Sequence, residues 1–367
     1  EDTVVKQLEA KLTPSGLSKR MLSDGTYEEL PQTEGNDPNA CAFEKMVPGT
    51  DEGILPEVRF REHRLALYVV KKGAKPFIEV AEGKITLDEF MSQLSDDDLI
   101  ELLGGQPNTG VANTFGFGNL PDYGVPNIMT ADGPAGLRIT QKYKDGDQTY
   151  YQYATAWPIG TLLAQTWDTG QIYAYGEGVG EEMEEFGIGC WLAPGMNIHR
   201  NALCGRNFEY YSEDPVVVGI TGTAATLGVQ SNKGVGVTIK HYALNSQETN
   251  RNAENNTVSE RAIREIYLKG FEAVVKQAQP MAIMTSYNQN NGRPAADDYD
   301  LCTAFARDEW GFQGMIMTDW GGGQSVPMYE MHAGNDLVCP GKGASQILKA
   351  FISEPDWTKD GYVNMET

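Results

Sequence analysis

Residues 314–320, with the sequence Gly-Met-Ile-Met-Thr-Asp-Trp, end in a carboxylate and an aromatic ring. The apolar run after a glycine predicts a buried strand, because residues 300–310 before it have the pattern of a helix. In a barrel of alternating strands and helices, a polar residue at the C-terminal tip of a strand lies in the mouth of the active site. Asp319 is therefore a candidate for catalysis, and Trp320 for the wall of a site that binds a ring-shaped ligand. The structural alternative is an aspartate that only caps the following loop.

Polar or aromatic side chains follow the other predicted strands at the same phase. In chain order they are Asp132, Asn197 with His199, Lys240 with His241, and Tyr287 with Asn288, while Arg206 lies in the polar segment 205–209. A few converging polar groups orient a ligand in a pocket, and an aromatic face covers a ring. The set predicts a pocket for a neutral, hydroxyl-rich ligand.

Each of these residues also has a structural interpretation. Asp132 fits a plain turn residue, and Lys240 fits a strand end that meets water. Arg206 fits an ion pair with one of the carboxylates that follow it, and Tyr287 fits a rim aromatic with a solvated hydroxyl. Their shared position after apolar runs favours the interpretation as one site.

The charge balance and the motifs argue against several classes of function. The chain has 29 Lys and Arg against 51 Asp and Glu, a net charge of −22, whereas nucleic acids and anionic membranes attract clustered cations. No GxGxxG motif is found, and no apolar run reaches the ~18 residues of a membrane helix. The five cysteines form no CxxC pair and the four histidines are dispersed, so we expect no metal and no cofactor. Scattered thiols favour a reducing compartment, hence a cytoplasmic protein, with secretion as the alternative.

The candidate residues need a scaffold of alternating strands and helices, and the pattern from about residue 84 predicts one. Two capping boxes, begun by Thr86 and Ser95, start short helices. Strands are predicted at 127–131, 188–193, 235–239, 281–286, 315–318 and 336–338, and helices at 168–186, 216–231, 259–278 and 300–310. Such alternation predicts an α/β fold, a (β/α)8 TIM-like barrel, with an open doubly wound sheet as the rival.

Two regions of the chain differ in pattern. Residues 1–75 are irregular, rich in turn residues and weak in periodicity. We interpret them as an N-terminal segment, either the tail of a preceding domain or a linker. Residues 76–367 are then the TIM-like catalytic barrel.

Taken together, six segments of the chain resemble glycoside hydrolase family 3, of the β-glucosidase type. They are DGPAGLR at 132–138, the segment 195–215, KHYALNSQE at 240–248, SERAIREIYL at 259–268, TSYNQNNG at 285–292 and DEWGFQGMIMTDW at 308–320. The resemblance spans about residues 85–341. It implies a retaining, exo-acting β-glucosidase that cleaves terminal non-reducing β-D-glucosyl residues.

The resemblance also implies a role for individual residues. Asp319 matches the nucleophile that forms a covalent glycosyl-enzyme, and Trp320 the wall beside it. The residues that match those holding the non-reducing-end sugar are Asp132, Arg206, Lys240, His241 and Tyr287. Arg138 matches a residue that braces this pocket. Nearby positive charge from Lys240 and Arg206 is expected to keep the nucleophile ionised.

The general acid is not evident in this chain. In family 3 β-glucosidases it is generally a glutamate on a second, sandwich-shaped domain, and the segment before the barrel resembles the subgroup in which that domain comes first. Glu248 and Glu209 are the alternatives within the chain. The expected partners are thus a β-glucoside and a second domain or chain that carries the acid. A homo-oligomer is a further alternative. A glucose-binding module without turnover and a β-xylosidase are the rival functions.

Overall fold

The computed structural model describes residues 19–21, 26–29, 70–108, 110–145, 147–341 and 347. The chain divides into two compact units, residues 1–54 and 55–367. In the first unit, strand β1 (Lys19–Met21) pairs antiparallel with β2 (Tyr27–Glu29). The domain boundary expected at residue 75 stays a prediction.

A six-stranded sheet forms the centre of the second unit. Its strands are β3 (Gly116–Leu120), β4 (Val125–Ala131), β7 (Cys190–Trp191), β8 (Gly236–Tyr242), β10 (Ala282–Thr285) and β13 (Met315–Met317). They are ordered β13-β10-β8-β7-β4-β3. Neighbours from β4 to β13 are parallel, whereas β3 runs antiparallel to β4. Parallel strands buried on both faces account for the continuous apolar runs in the sequence.

Backbone hydrogen bonds beyond the named strands close this sheet into a ring. Thr318 N donates to Leu337 O over 3.0 Å, and Val338 N donates to Leu103 O over 2.9 Å. Gln106 and Gly116 then exchange two bonds of 2.7 and 2.8 Å, which returns the ring to β3. Six strands and the two bridged segments, 336–338 and 104–106, give eight strand positions among the described residues. The predicted TIM-like barrel is therefore confirmed, although residues 336–338 join it through isolated bridges and do not form the predicted strand.

Helices cover the barrel. The α-helices are Ile78–Ala81, Leu87–Met91, Asp96–Leu102, Gly160–Gln165, Thr169–Phe186, Pro215–Gln230, Glu260–Ala262, Lys269–Ala278 and Pro327–Ala333. Ile263–Tyr267 and Asp300–Glu309 are π-helical, and Pro121–Tyr123 and Ala295–Asp297 are 3-10 turns. Both predicted capping boxes are present, because the Thr86 and Ser95 side chains accept from the backbone three residues on. None of the described helices is long and apolar enough to cross a membrane.

Glycines set the distance between two helices of the outer layer. A Cβ at Gly228 would lie 2.2 Å from Tyr173 O, and one at Gly176 would lie 2.5 Å from Ala225 O. Helices Thr169–Phe186 and Pro215–Gln230 therefore touch through their backbones at this crossing. Close packing of this kind fixes where the following strands, β7 and β8, enter the barrel.

Two smaller sheets of the second unit are separate from the barrel sheet. Strands β5 (Lys142–Asp145) and β6 (Gln148–Tyr151) form an antiparallel hairpin. Strand β11 (Gln289–Asn290) pairs with β9 (Asn255–Asn256) and with β12 (Arg293–Pro294). The second of these sheets ties the loop after β8 to the loop after β10, and both loops carry candidate residues.

Candidate active site

A cavity of about 580 Å³ lies at the carboxyl ends of the barrel strands. Among its lining residues are eight that the sequence nominated: Asp132, Arg138, Arg206, Lys240, His241, Tyr287, Asp319 and Trp320. Glu209 also lines it, whereas Glu248 does not. Asp132 and Asp319, which are 187 positions apart in the chain, thus share one pocket.

Asp319 lies two residues after the end of β13 and is almost enclosed, with 14% of its side chain exposed. Burial raises the pKa of its carboxyl above the usual range for aspartate. The positive charges of Lys240 and Arg206 and a hydrogen bond from Tyr287 act in the opposite direction. The cations thus have the effect on ionisation that the sequence predicted, but burial outweighs them.

Asp132 lies at the end of β4 between two cations. Lys240 Nζ donates to its Oδ1 over 2.7 Å, and Arg138 Nη1 donates to its Oδ2 over 3.0 Å. Burial alone would raise the pKa of Asp132. The charge and hydrogen bond of Lys240, a hydrogen bond from the Gly133 backbone and the charge of Arg138 together outweigh burial and lower this pKa to about 2. A carboxylate held this firmly stays ionised and accepts hydrogen bonds; it is a poor proton donor.

His241 is 2% exposed, and both its backbone and its imidazole ring make hydrogen bonds. Its backbone N–H donates to Asn197 Oδ1 over 2.9 Å, and Asn197 Nδ2 donates to the His241 carbonyl over 2.8 Å. Burial and then the positive charges of Arg206 and Lys240 hold the pKa of His241 well below its usual range. The imidazole is therefore neutral, and its Nε2 lies 3.8 Å from Asp319 Oδ2.

Arg206 combines a position in the pocket wall with an ion pair. Its Nε donates to Glu209 Oε1, and its guanidinium lies 5.9 Å from the centre of the Tyr210 ring. Glu209 is 3% exposed at its side chain. The two interpretations of Arg206 are thus compatible, because the ion pair orients the guanidinium toward the cavity.

Two aromatic residues border Asp319. The Tyr287 hydroxyl donates to the Trp320 carbonyl over 3.2 Å. Burial and then the charge of Asp319 raise the pKa of Tyr287, so its hydroxyl stays protonated and can donate. Trp320 has a φ of 47°, a left-handed backbone that non-glycine residues adopt infrequently. Backbone strain of this kind is common next to functional groups.

Comparison with known proteins identifies the family. The model of the glycosyl hydrolase family 3 N terminal domain matches residues 127–339. This chain belongs to glycosyl hydrolase family 3.

Relatives within family 3 are similar over most of the chain. Beta-glucosidase A of Butyrivibrio fibrisolvens is 48% identical over 368 residues, which cover 98% of this chain and 43% of that protein. A beta-glucosidase of Ruminococcus albus is 39% identical over 328 residues, which cover 86% of this chain and 32% of that protein. The structure of beta-glucosidase 3B from Thermotoga neapolitana in complex with alpha-D-glucose matches with a TM-score of 0.67 and 40% sequence identity. The match covers 76% of this chain and 40% of that chain. This family 3 chain thus spans less than half the length of these relatives.

Arg251 lines the family 3 pocket and was not among the predicted residues. Its guanidinium carbon lies 4.9 Å from the centre of the Tyr287 ring, and its Nη1 donates to Glu248 Oε2 over 3.0 Å. The spacing of Glu248 and Arg251, three residues apart in one polar loop, is the signal in the sequence that points to their pairing. Glu248 therefore lies behind Arg251 and contacts the pocket through it.

Other polar clusters in the described part of this family 3 chain do not suggest a second site. No group of three or more His, Cys, Asp or Glu residues there is arranged to hold a metal ion. Four cysteines, Cys190, Cys204, Cys302 and Cys339, are buried free thiols, as expected; Cys41 lies outside the described residues.

Proposed function

We propose that this chain is the nucleophile-bearing barrel of a retaining, exo-acting β-glucosidase. The proposal rests chiefly on one observation: the nearly enclosed Asp319 carboxylate faces a pocket with cationic, hydroxyl-bearing and aromatic walls. The relatives named as beta-glucosidases support glucose as the sugar. The enzyme hydrolyses terminal, non-reducing β-D-glucosyl residues.

In the first step, Asp319 attacks the anomeric carbon and forms a glycosyl ester. The bond to the aglycone oxygen breaks as that oxygen receives a proton from the acid. Lys240, Arg206 and Tyr287 stabilise the ionised carboxylate before the attack. In the second step, water loses a proton to the same acid group and displaces Asp319, so that glucose is released with its configuration retained.

The other lining residues hold the sugar. Those that bind its hydroxyl groups are Asp132, Arg206, Lys240, His241 and Tyr287, and Trp320 forms the wall under the ring. Arg138 braces Asp132 through the 3.0 Å ion pair. An ionised carboxylate and neutral imidazole offer acceptors and a donor that fit the alternating hydroxyls of a pyranose.

The acid/base comes from another domain or another chain. Asp132 holds no proton near neutrality, with a pKa of about 2. Glu209 Oε1 accepts a hydrogen bond from Arg206 Nε, so this carboxyl is engaged in an ion pair with the pocket arginine. The greater length of the relatives leaves room for a domain that brings a glutamate over the pocket. We assign residues 1–75 to the tail of such a preceding domain or to a linker.

Two β-glucosides with different leaving groups test this division of labour. Dinitrophenolate leaves without protonation, whereas a methyl or phenyl aglycone needs the acid. Turnover of only the activated substrate by residues 1–367 is the expected result. Asp319→Ala should abolish it, and azide should restore turnover by giving the α-glucosyl azide. Asp308→Asn, an exposed aspartate on the preceding helix, is the matched control.

Other outcomes separate the rivals. Turnover of both substrates would contradict the assignment of the acid to another domain or chain. Glucose binding without turnover of either substrate would support a binding module. A kcat/KM higher for the xyloside than for the glucoside would support a β-xylosidase.

We also assign the protein to the cytoplasm. The four buried free thiols support a reducing compartment. Fractionation of the source cells, followed by detection of the protein with an antibody, tests this assignment. Recovery from the medium or the periplasm would contradict it.

A further inference from the structure

A chain of polar contacts runs from Glu248 to the nucleophile. Asn245 Nδ2 donates to Glu248 Oε1 over 2.8 Å and to the Tyr210 hydroxyl over 2.9 Å. The Tyr210 hydroxyl is 3.0 Å from His241 Nδ1, and His241 Nε2 is 3.8 Å from Asp319 Oδ2. Asn245, Tyr210 and His241 are each 3% exposed or less. Water therefore does not compete for the bonds among these three residues.

Every donor along this chain has an acceptor when the bonds run in one direction. A carboxylate only accepts, so the amide group of Asn245 that faces Glu248 is the NH2. This NH2 also donates to the Tyr210 oxygen, and the Tyr210 hydrogen is then free to point at His241 Nδ1. Because His241 is neutral and its Nδ1 accepts, its only ring hydrogen is on Nε2. That hydrogen lies on the side of the ring that faces Asp319.

A second route leaves the other oxygen of Glu248. Arg251 Nη1 donates to Glu248 Oε2 over 3.0 Å, and the guanidinium covers the Tyr287 ring at 4.9 Å. Tyr287 in turn donates to Asp319. Burial and the negative charge of Glu248 raise the pKa of the neighbouring Glu254 to about 7. Of these two carboxyls, Glu248 is the one that accepts from both Asn245 and Arg251.

We propose that Glu248 is a positioning residue that keeps Asp319 ready to attack, by fixing His241 as its Nε2–H tautomer and by holding Arg251 over Tyr287. Glu248 does not line the pocket and transfers no proton to substrate. Its two oxygens hold Asn245 and Arg251, through which it acts on His241 and Tyr287 beside the nucleophile. The proposal rests on the proposed function only in that Asp319 is the nucleophile.

The attack of Asp319 can be measured alone with 2-deoxy-2-fluoro-β-glucosyl fluoride and the full-length protein. Asp319 forms a bond to the anomeric carbon while the carbon–fluorine bond breaks, and fluoride leaves with the electron pair without needing an acid. The rate of inactivation, followed against pH, therefore reports the nucleophile and its ionisation. The variants are Glu248→Gln, Tyr210→Phe and the double variant. Glu265→Gln is the matched control, because Glu265 also pairs with an arginine, Arg261, but on the exposed surface.

We expect each single variant to lower the inactivation rate about tenfold, as for loss of one hydrogen bond to a charged group. Without the Tyr210 hydrogen, His241 can turn its lone pair toward Asp319, which favours the protonated carboxyl. The acid limb of the pH–rate profile is the range in which the inactivation rate falls as Asp319 becomes protonated. It should therefore move to higher pH in both variants. Loss of the Glu248 charge alone would move it to lower pH, so charge removal cannot mimic this result.

The double variant tests whether both residues act through one route. If they do, its loss is clearly smaller than the product of the two single losses. The proposal is overturned if Glu248→Gln is inactivated at the same rate as Glu265→Gln. It is also overturned if the acid limb of the single variants stays at the wild-type pH, or if the loss in the double variant equals the product of the two single losses. Should Glu248→Gln fail to fold, Tyr210→Phe removes a single hydroxyl and decides alone: an unchanged limb overturns the proposal. A wild-type protein that the fluoride does not inactivate would instead contradict the proposed function.

Discussion

Lys240 Nζ donates to Asp132 Oδ1 over 2.7 Å, and the lysine side chain is 3% exposed while the aspartate is 28% exposed. This bond joins the end of β4 to β8 across the short strand β7 that lies between them. It neutralises a cation that the barrel has removed from water, because a buried unpaired ammonium is costly. The same bond leaves the aspartate partly open to the cavity, where it is able to accept from a ligand.

Asp132→Asn should lower the free energy of unfolding by about 2 kcal/mol at pH 7. The pKa of Asp132 falls from 3.8 to about 2 on folding, so the carboxylate stabilises the native state above about pH 4. That contribution is lost as the pH falls through about 2. Urea unfolding of the wild type and the variant at several pH values checks this. The difference in free energy of unfolding between wild type and variant should shrink toward low pH, and a constant difference would contradict the assignment. The control Asp308→Asn should have the same free energy of unfolding as the wild type.

Lys240→Met should move the acid limb of Asp319 glycosylation to higher pH. Asp319 must be ionised to attack, and burial already raises its pKa while Lys240 lowers it. The other polar groups around it are Arg206, Arg251, Tyr287 and His241. The pH profile of inactivation by the fluoro sugar measures the shift. Lys276→Met, which breaks an exposed ion pair with Glu272, should leave the limb in place. A limb at unchanged or lower pH would show that Lys240 does not control Asp319.

Tyr287→Phe should lower kcat for the activated substrate by about 10–100-fold with a smaller change in KM. The single hydroxyl hydrogen is shared between Asp319 and the Trp320 carbonyl oxygen, which lies 3.2 Å from the hydroxyl oxygen. Its loss removes stabilisation of the carboxylate, while the ring still packs under Arg251. Steady-state kinetics on the dinitrophenyl glucoside check the prediction, with the exposed Tyr299→Phe as control. A change confined to KM would assign Tyr287 to ground-state binding only.

The sequence predicted the elements that depend on local pattern. Helices were predicted at 168–186 and 216–231 and are observed at Thr169–Phe186 and Pro215–Gln230, because apolar periodicity and caps are local signals. The strand before Asp319 was predicted at 315–318 and is observed at Met315–Met317. Polar residues at strand ends meet in one pocket because parallel strands point their carboxyl ends the same way.

Other features depend on contacts between distant segments. Strand β3 was missed because Gly-Phe-Gly-Asn-Leu has no clear apolar alternation, and its pairing with β4 supplies the order. The strand predicted at 188–193 shortens to Cys190–Trp191. Lys240 and His241 lie within β8 instead of after it. Arg251 was missed because its loop has no periodicity and its position over Tyr287 exists only in the folded barrel.

Gly133→Ala should destabilise the protein more than Gly83→Ala, although both glycines have positive φ. Gly133 has φ 108°, and a Cβ there would lie 2.0 Å from the Gly136 carbonyl oxygen. Gly83 has φ 68° with nothing within 4 Å, so alanine there carries only the backbone cost of about 1 kcal/mol.

Thermal unfolding of the two glycine variants separates backbone strain from steric overlap. The turn after Gly133 connects Asp132 to Arg138, whose backbone N–H donates to the Asp132 carbonyl over 2.8 Å. Gly133→Ala should therefore also reduce kcat/KM, because the overlap has to be relieved by moving the ion pair, whereas Gly83→Ala should keep it. Equal losses of stability in the two variants would mean that the turn relaxes without strain, and unchanged kcat/KM in Gly133→Ala would mean that Asp132 is positioned by Lys240 alone.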